Sequence, residues 1–143
     1  MSQGYKINQS IGVSRKSDWP EQMIASIEAA RMRPFVWGEH DCCLFSADVV
    51  LAMTGADLAE VIRGKYTTEK QALKLIKKQS IESYLDERLP VKDKRFTSRG
   101  DLVMVDGGMG NALGICVGAK IAVLELSGLT FVGFDKYIKS WEI

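Results

Sequence analysis

The stretch Phe35-Val36-Trp37-Gly38-Glu39-His40-Asp41-Cys42-Cys43-Leu44-Phe45-Ser46-Ala47-Asp48-Val49-Val50 decides how the rest of the chain is read. An aromatic run and a glycine lead into a polar turn, two adjacent cysteines and an apolar segment. From Leu44 the apolar residues recur at helical spacing, through Ala47, Val50 and Leu51 to Met53. Asp41 stands at the N-cap position, which places Cys42 at the first helical residue. A thiol there faces unpaired backbone N–H groups and the positive end of the helix dipole, and both favour the thiolate. The position suits a nucleophile.

Working outward toward the N-terminus, Ser17-Asp18-Trp19-Pro20-Glu21 reads as a helix start, with Asp18 as N-cap and Pro20 in the first turn. That helix extends to about Met32 on an apolar face of Met23, Ile24, Ile27, Ala30 and Met32, and Arg33-Pro34 stops it. Residues 1–16 are polar and broken by Gly4 and Gly12, and read as an irregular arm ahead of a single domain over 17–143. The arm is either simply disordered or a segment that orders on a partner.

Toward the C-terminus, Gly55 is positioned as a left-handed C-cap. Thr67 or Thr68 is expected to cap a third helix to about Lys78, burying Ala72, Leu73, Leu75 and Ile76. A short fourth helix spans about Ile81 to Arg88 and ends at Leu89-Pro90. After Gly100 the period changes to that of strands: 101–105, 111–118, 120–126 and 129–134, with 137–141 able to pack a last short strand or turn on the sheet. Helices first and an antiparallel sheet second define an α+β class.

The chain has 143 residues, 46% of them hydrophobic, enough for one real core. Its formal charge of +1 argues against a nucleic-acid partner. Between Arg63 and Arg99, eleven Lys/Arg face five Asp/Glu, either a solvated surface or a contact for an anionic partner. No apolar N-terminal segment resembles a signal peptide and no run approaches a membrane span, so no membrane partner is expected. Three cysteines, two adjacent, make no disulfide framework and suit synthesis in a reducing compartment. Contiguous His40, Asp41, Cys42 and Cys43 cannot readily surround one ion, so neither metal nor cofactor is expected.

Three blocks resemble the NlpC-type cell-wall peptidases, a branch of the papain-like cysteine hydrolases. They are Phe35-Val36-Trp37-Gly38 with Asp41-Cys42, Gly100-Asp101-Leu102-Val103, and Leu113-Gly114-Ile115-Cys116-Val117-Gly118. A narrower resemblance is to phage and prophage tail-module proteins of this length. It rests on Phe35 to Cys42, Ala47-Asp48, Thr54-Gly55, Gly100-Asp101 and Trp141. The resemblance implies a papain-like domain, N-terminal helices followed by a small antiparallel sheet or half-barrel. Residue by residue, it carries the nucleophile onto Cys42, the base onto Ala112 and the orienting group onto Leu124, beside Glu125.

Alanine cannot take a proton, so two of three roles are empty. The residues that remain as candidates are Cys42 as vestigial or active nucleophile, His40 and Glu125 as substitute bases, and Asp41 as cap and support. His40 is the single histidine of the chain, two residues before Cys42. Cys43 and Cys116 read as core thiols, and Trp19, Trp37 and Trp141 as core or groove-lining residues.

Three functions stay open. The first is a tail-tip or tail-assembly protein with a degenerate peptidase fold, made in the host cytoplasm and resident in the virion. Its partners would be other tail-tip proteins and possibly peptidoglycan. The second is an active cysteine peptidase or amidase cutting wall peptide crosslinks. The third is a small soluble bacterial binding module.

Overall fold

A computed structural model describes residues 12–75, 80–108 and 110–143. Helix α1 (Trp19–Arg31) and helix α2 (Cys42–Thr54) are followed by two short ones, α3 (Glu69–Leu75) and α4 (Ile81–Asp86). Among the described residues six strands follow: β1 (Val91–Lys92), β2 (Leu102–Asp106), β3 (Asn111–Cys116), β4 (Ile121–Glu125), β5 (Gly128–Val132) and β6 (Tyr137–Trp141). They form one antiparallel sheet in the order β1-β6-β2-β3-β4-β5. The α+β class expected from the sequence is the class observed.

Helix α2 is the axis of the packing. It lies against α1 on one side and against β3 and β4 on the other. Its sequence expectation of a single apolar face understates this. Phe45, Ser46 and Val49 are buried as well as Leu44, Ala47, Val50 and Met53, whereas Leu51 is exposed. A helix enclosed by neighbours has little polar face left. Gly55 ends it in the left-handed conformation at φ 85°.

The sheet buries both faces. Leu102, Met104, Leu113, Ile115, Ala122, Leu124 and Trp141 meet the helices. Val103, Val105, Cys116, Ile121 and Val123 form a second cluster on the opposite face, flanked by Phe134 and Tyr137. Gly114 is fixed by the sheet itself, because a Cβ there would lie 2.4 Å from the Ala122 carbonyl oxygen.

Several local expectations need correction. Asp18 precedes α1 but does not cap it; at φ −102°, ψ 28° its carboxylate instead accepts from Gln22 Nε2. Ile24 and Met32 of the expected apolar face are exposed. Helix α3 is capped as expected by Thr68, whose Oγ1 accepts from Gln71 N, while Gln71 Oε1 accepts from Thr67 N. Ala72 is buried but Leu75 is exposed. The side chain of Leu73 and all of Ile76 to Lys78 lie outside the described residues.

Strand β1 had no counterpart in the sequence reading. The C-terminal segment, expected as a last short strand or turn on the sheet, is a strand, and it lies in the interior between β1 and β2. Its Trp141 is fully buried and donates from Nε1 to Asp86 Oδ1.

Of the expected arm, residues 1–11 lie outside the described residues. Residues 12–16 have no regular structure but are tied to the domain, through Gly12 N to Arg88 O and Lys16 N to Met53 O. Arg15 reaches furthest, donating to the Ile143 carbonyl oxygen and to Asp101 Oδ1.

Candidate functional site

The site begins with a short turn. Val36 and His40 exchange backbone hydrogen bonds, closing Trp37, Gly38 and Glu39 into a loop ahead of α2. Gly38 adopts φ 83°, and a Cβ on it would lie 1.9 Å from the Tyr66 carbonyl oxygen. Both the conformation and the close approach require glycine.

Asp41 binds the turn to the helix. It is fully buried, and its Oδ1 accepts from Leu44 N as N-cap while its Oδ2 accepts from Gly38 N and from the Tyr66 hydroxyl. Such a cap is worth about 1 kcal/mol in helix stability. Burial first, then the hydrogen bond and negative charge of Asp41, push the Tyr66 phenol well above its ordinary range. Tyr66 therefore remains a donor at any ordinary pH. Nothing in the sequence singled it out, since it lies 25 residues downstream in what reads as a loop.

Cys42 follows at the first position of α2, half-buried, and borders two clefts. One, of about 440 Å³, lies between Phe35, Trp37, Ala112, Leu124 and Glu125. Phe35 and Trp37 meet edge to face at 5.0 Å, forming a rigid aromatic wall. The other, of about 220 Å³, is bounded by Cys43, Met104, Asn111, Ala112 and Leu113. Cys42, Ala112 and Leu124 thus border one groove although 70 and 82 positions separate the latter two from the cysteine. Glu125 borders the same groove.

His40 is not among the residues lining either cleft. It is 2% exposed, and its Nδ1 lies 3.2 Å from the Pro34 carbonyl oxygen. That ring nitrogen is thereby engaged on the entry turn. Cys43 borders the smaller cleft, and Cys116 is buried in the sheet with its thiol against Gly118 O, its pKa pushed up by burial. Among the described residues no group of three or more His, Cys, Asp or Glu side chains is placed to hold a metal ion. Nor is any helix among them long and apolar enough to cross a membrane.

The basic stretch 63–99 is partly neutralised within the fold. Arg63 pairs with Asp48 and Asp57, Lys92 with Asp101, and Arg95 with Asp93. Trp37 lines the larger groove, while Trp19 lies under the guanidinium groups of Arg15 and Arg99.

Chemically, the arrangement offers a thiol at a helix N-terminus, an apolar and aromatic groove, and a carboxylate in the lining of each cleft, Glu125 in the larger and Glu82 in the smaller. Residues 14–143 match the family described as a domain of unknown function, DUF6950. No curated protein matches the chain. Among solved structures, the crystal structure of the NlpC/p60 domain of the peptidoglycan hydrolase SagA is similar. It has a TM-score of 0.59 at 14% sequence identity, over 86% of this chain and 97% of that one. The chain has an NlpC/p60-like fold.

Proposed function

The chain belongs to the DUF6950 family, and we propose that it is a peptidoglycan-hydrolase-like domain whose peptidase chemistry has lapsed, retained as a structural and interaction subunit of a phage or prophage tail tip. The observation that carries the loss of chemistry is the shared groove of Cys42, Ala112 and Leu124. A papain-like thiol hydrolase needs a base within hydrogen-bond reach of sulfur and a third group to orient that base. Here the two positions that the resemblance assigns to base and orienter border the groove with Cys42 and carry a methyl and an isobutyl group. His40 lines neither cleft, and its Nδ1 is engaged by the Pro34 carbonyl oxygen. With the reaction gone, the aromatic-walled groove serves as a binding surface for an extended peptide segment of a neighbouring tail protein.

The tail assignment is supported by the motif set from Phe35 to Trp141. Mass spectrometry of purified particles tests it: the chain should appear in fixed stoichiometry with tail proteins, and consistent absence rejects the assignment. The loss of activity is tested by incubating the protein with muropeptides beside Cys42→Ala. No fragment release is expected from either.

One observation favours a second reading, an active cysteine peptidase of wall crosslinks. Glu125 borders the same groove as Cys42. Fragment release by the wild-type protein that both Cys42→Ala and Glu125→Gln abolish would establish that reading and end the first.

A further inference from the structure

Cys43 borders a small cavity of about 40 Å³. Its walls are apolar, built from Ala47, Leu58, Ala59, Ile62 and Leu102. Cys43, Ile81 and Leu113 border both this cavity and the 220 Å³ cleft beside Cys42, so the two adjoin across these three side chains. One polar atom in its lining is unsatisfied. Ser46 is 1% exposed, and its Oγ has no hydrogen-bond partner among the described residues. Tyr84 also lines the cavity, but its hydroxyl is already committed to the Leu58 carbonyl oxygen.

A buried hydroxyl without a partner is rare, because its desolvation is uncompensated. The neighbouring side chains supply nothing to bond it. The volume exceeds the roughly 30 Å³ share of one water and falls far below the roughly 150 Å³ that accommodates a benzene ring. Such a recess suits a side chain of two or three heavy atoms, apolar over most of its surface and carrying one hydroxyl.

We propose that this cavity is a specificity pocket of the Cys42 cleft, that it receives a threonine side chain of the bound peptide, and that Ser46 reads the threonine hydroxyl. The inference rests on the reading of the aromatic-walled groove as a peptide site, carries that peptide past Cys42, Asn111 and Ala112, which border both clefts, into the smaller one, and names the side chain selected there. Valine has the same shape as threonine but cannot satisfy Ser46, so it enters at a loss. Phenylalanine is too large, and glycine leaves the recess unfilled.

The test is a titration of the full chain with pentapeptides Gly-Gly-Xaa-Gly-Gly, where Xaa is Gly, Ala, Val, Thr or Phe, read by amide chemical shifts at Cys43, Ser46 and Ala47. The threonine peptide should bind about tenfold tighter than the valine peptide, the consequence of one buried hydrogen bond made or missed. Ser46→Ala should erase that preference while keeping the affinity for valine. This variant folds, because it removes an unsatisfied group and leaves packing intact. Equal affinity for threonine and valine, or a preference that survives Ser46→Ala, overturns the pocket while leaving the groove. Failure of every peptide, the glycine control included, overturns the groove reading and the pocket with it.

Discussion

The phenolic hydroxyl of Tyr66 donates a 2.5 Å hydrogen bond to Oδ2 of Asp41, the residue that caps the helix carrying Cys42. The loop after α2 therefore holds the carboxylate that orients the start of α2. Without the phenol, one oxygen of a fully buried carboxylate keeps only the Gly38 amide. Tyr66→Phe should lower the unfolding free energy by roughly 1–3 kcal/mol, the usual cost of stranding a buried polar group. Urea denaturation followed by circular dichroism measures this. An unchanged midpoint would show that Asp41 does not depend on Tyr66.

Gly38 is constrained more severely. Gly38→Ala places a methyl into the Tyr66 carbonyl at a backbone angle that alanine rarely adopts. The loss should be on the order of 3 kcal/mol or more, above that of Tyr66→Phe. Thermal melts of the two variants side by side rank them, and the reverse order would refute the geometry described for the turn.

Asp101 is the second buried anchor. It is fully buried and accepts from Arg15, Lys92, the Ser98 amide and the Ile143 amide, joining the segment before α1 to β1, β2 and the last strand. Removing one partner of a buried ion pair typically costs about 3–5 kcal/mol. Asp101→Ala should fall in that range by chemical denaturation. Arg15→Met and Lys92→Met, each leaving the other cation in place, should each cost less than Asp101→Ala.

Acid should weaken the fold in a defined window. Burial alone would raise the carboxyl of Asp57, but its hydrogen bonds and charge interaction with Arg63, together with the Ala59 amide, outweigh burial and hold it below its ordinary value of 3.8. Asp86 is likewise held low by Lys139 and Trp141 against the effect of burial. A carboxylate depressed in the folded state contributes stability above its unfolded pKa and loses it as pH falls through the folded one. The urea midpoint should thus be flat from neutral pH to about 5 and drop below about 4. Asp57→Asn should lower the midpoint at pH 7 and reduce the drop; an identical acid profile for the variant would count against the Arg63 pairing.

Ala112 offers a gain of chemistry. Ala112→His places an imidazole at the border of both clefts that Cys42 lines. An adjacent imidazolium stabilises a thiolate, so alkylation of the protein by iodoacetamide at pH 6 should accelerate by roughly tenfold or more. Cys42→Ala in the same background identifies the thiol responsible. Under the proposed loss of chemistry, muropeptide hydrolysis should not appear in this variant, since Leu124 cannot orient the new base. An alkylation profile unaltered by Ala112→His would separate Ala112 from the nucleophile.

Local chemistry was enough for much of the fold. Asp41 and Gly55 bracket α2 because a side-chain acceptor and a left-handed glycine act on their immediate neighbours in the chain. The change of period after Gly100 announced four strands for the same reason, since alternation is a property of adjacent residues. Tertiary structure decided everything that depends on distance along the chain. The interior place of β6 follows from its pairing with both β1 and β2, and the two residues of β1 are too few to show a period. Asp18 had the residue type of a cap but not the backbone angles. The partnership of Asp41 with Tyr66 and the satisfaction of Asp101 by Arg15 are contacts between remote segments. The same holds at the opening stretch. Asp41-Cys42 by itself specifies a thiol at a helix start, whereas the groove that this thiol shares with Ala112, Leu124 and Glu125 is set by where α2 lies against β3 and β4.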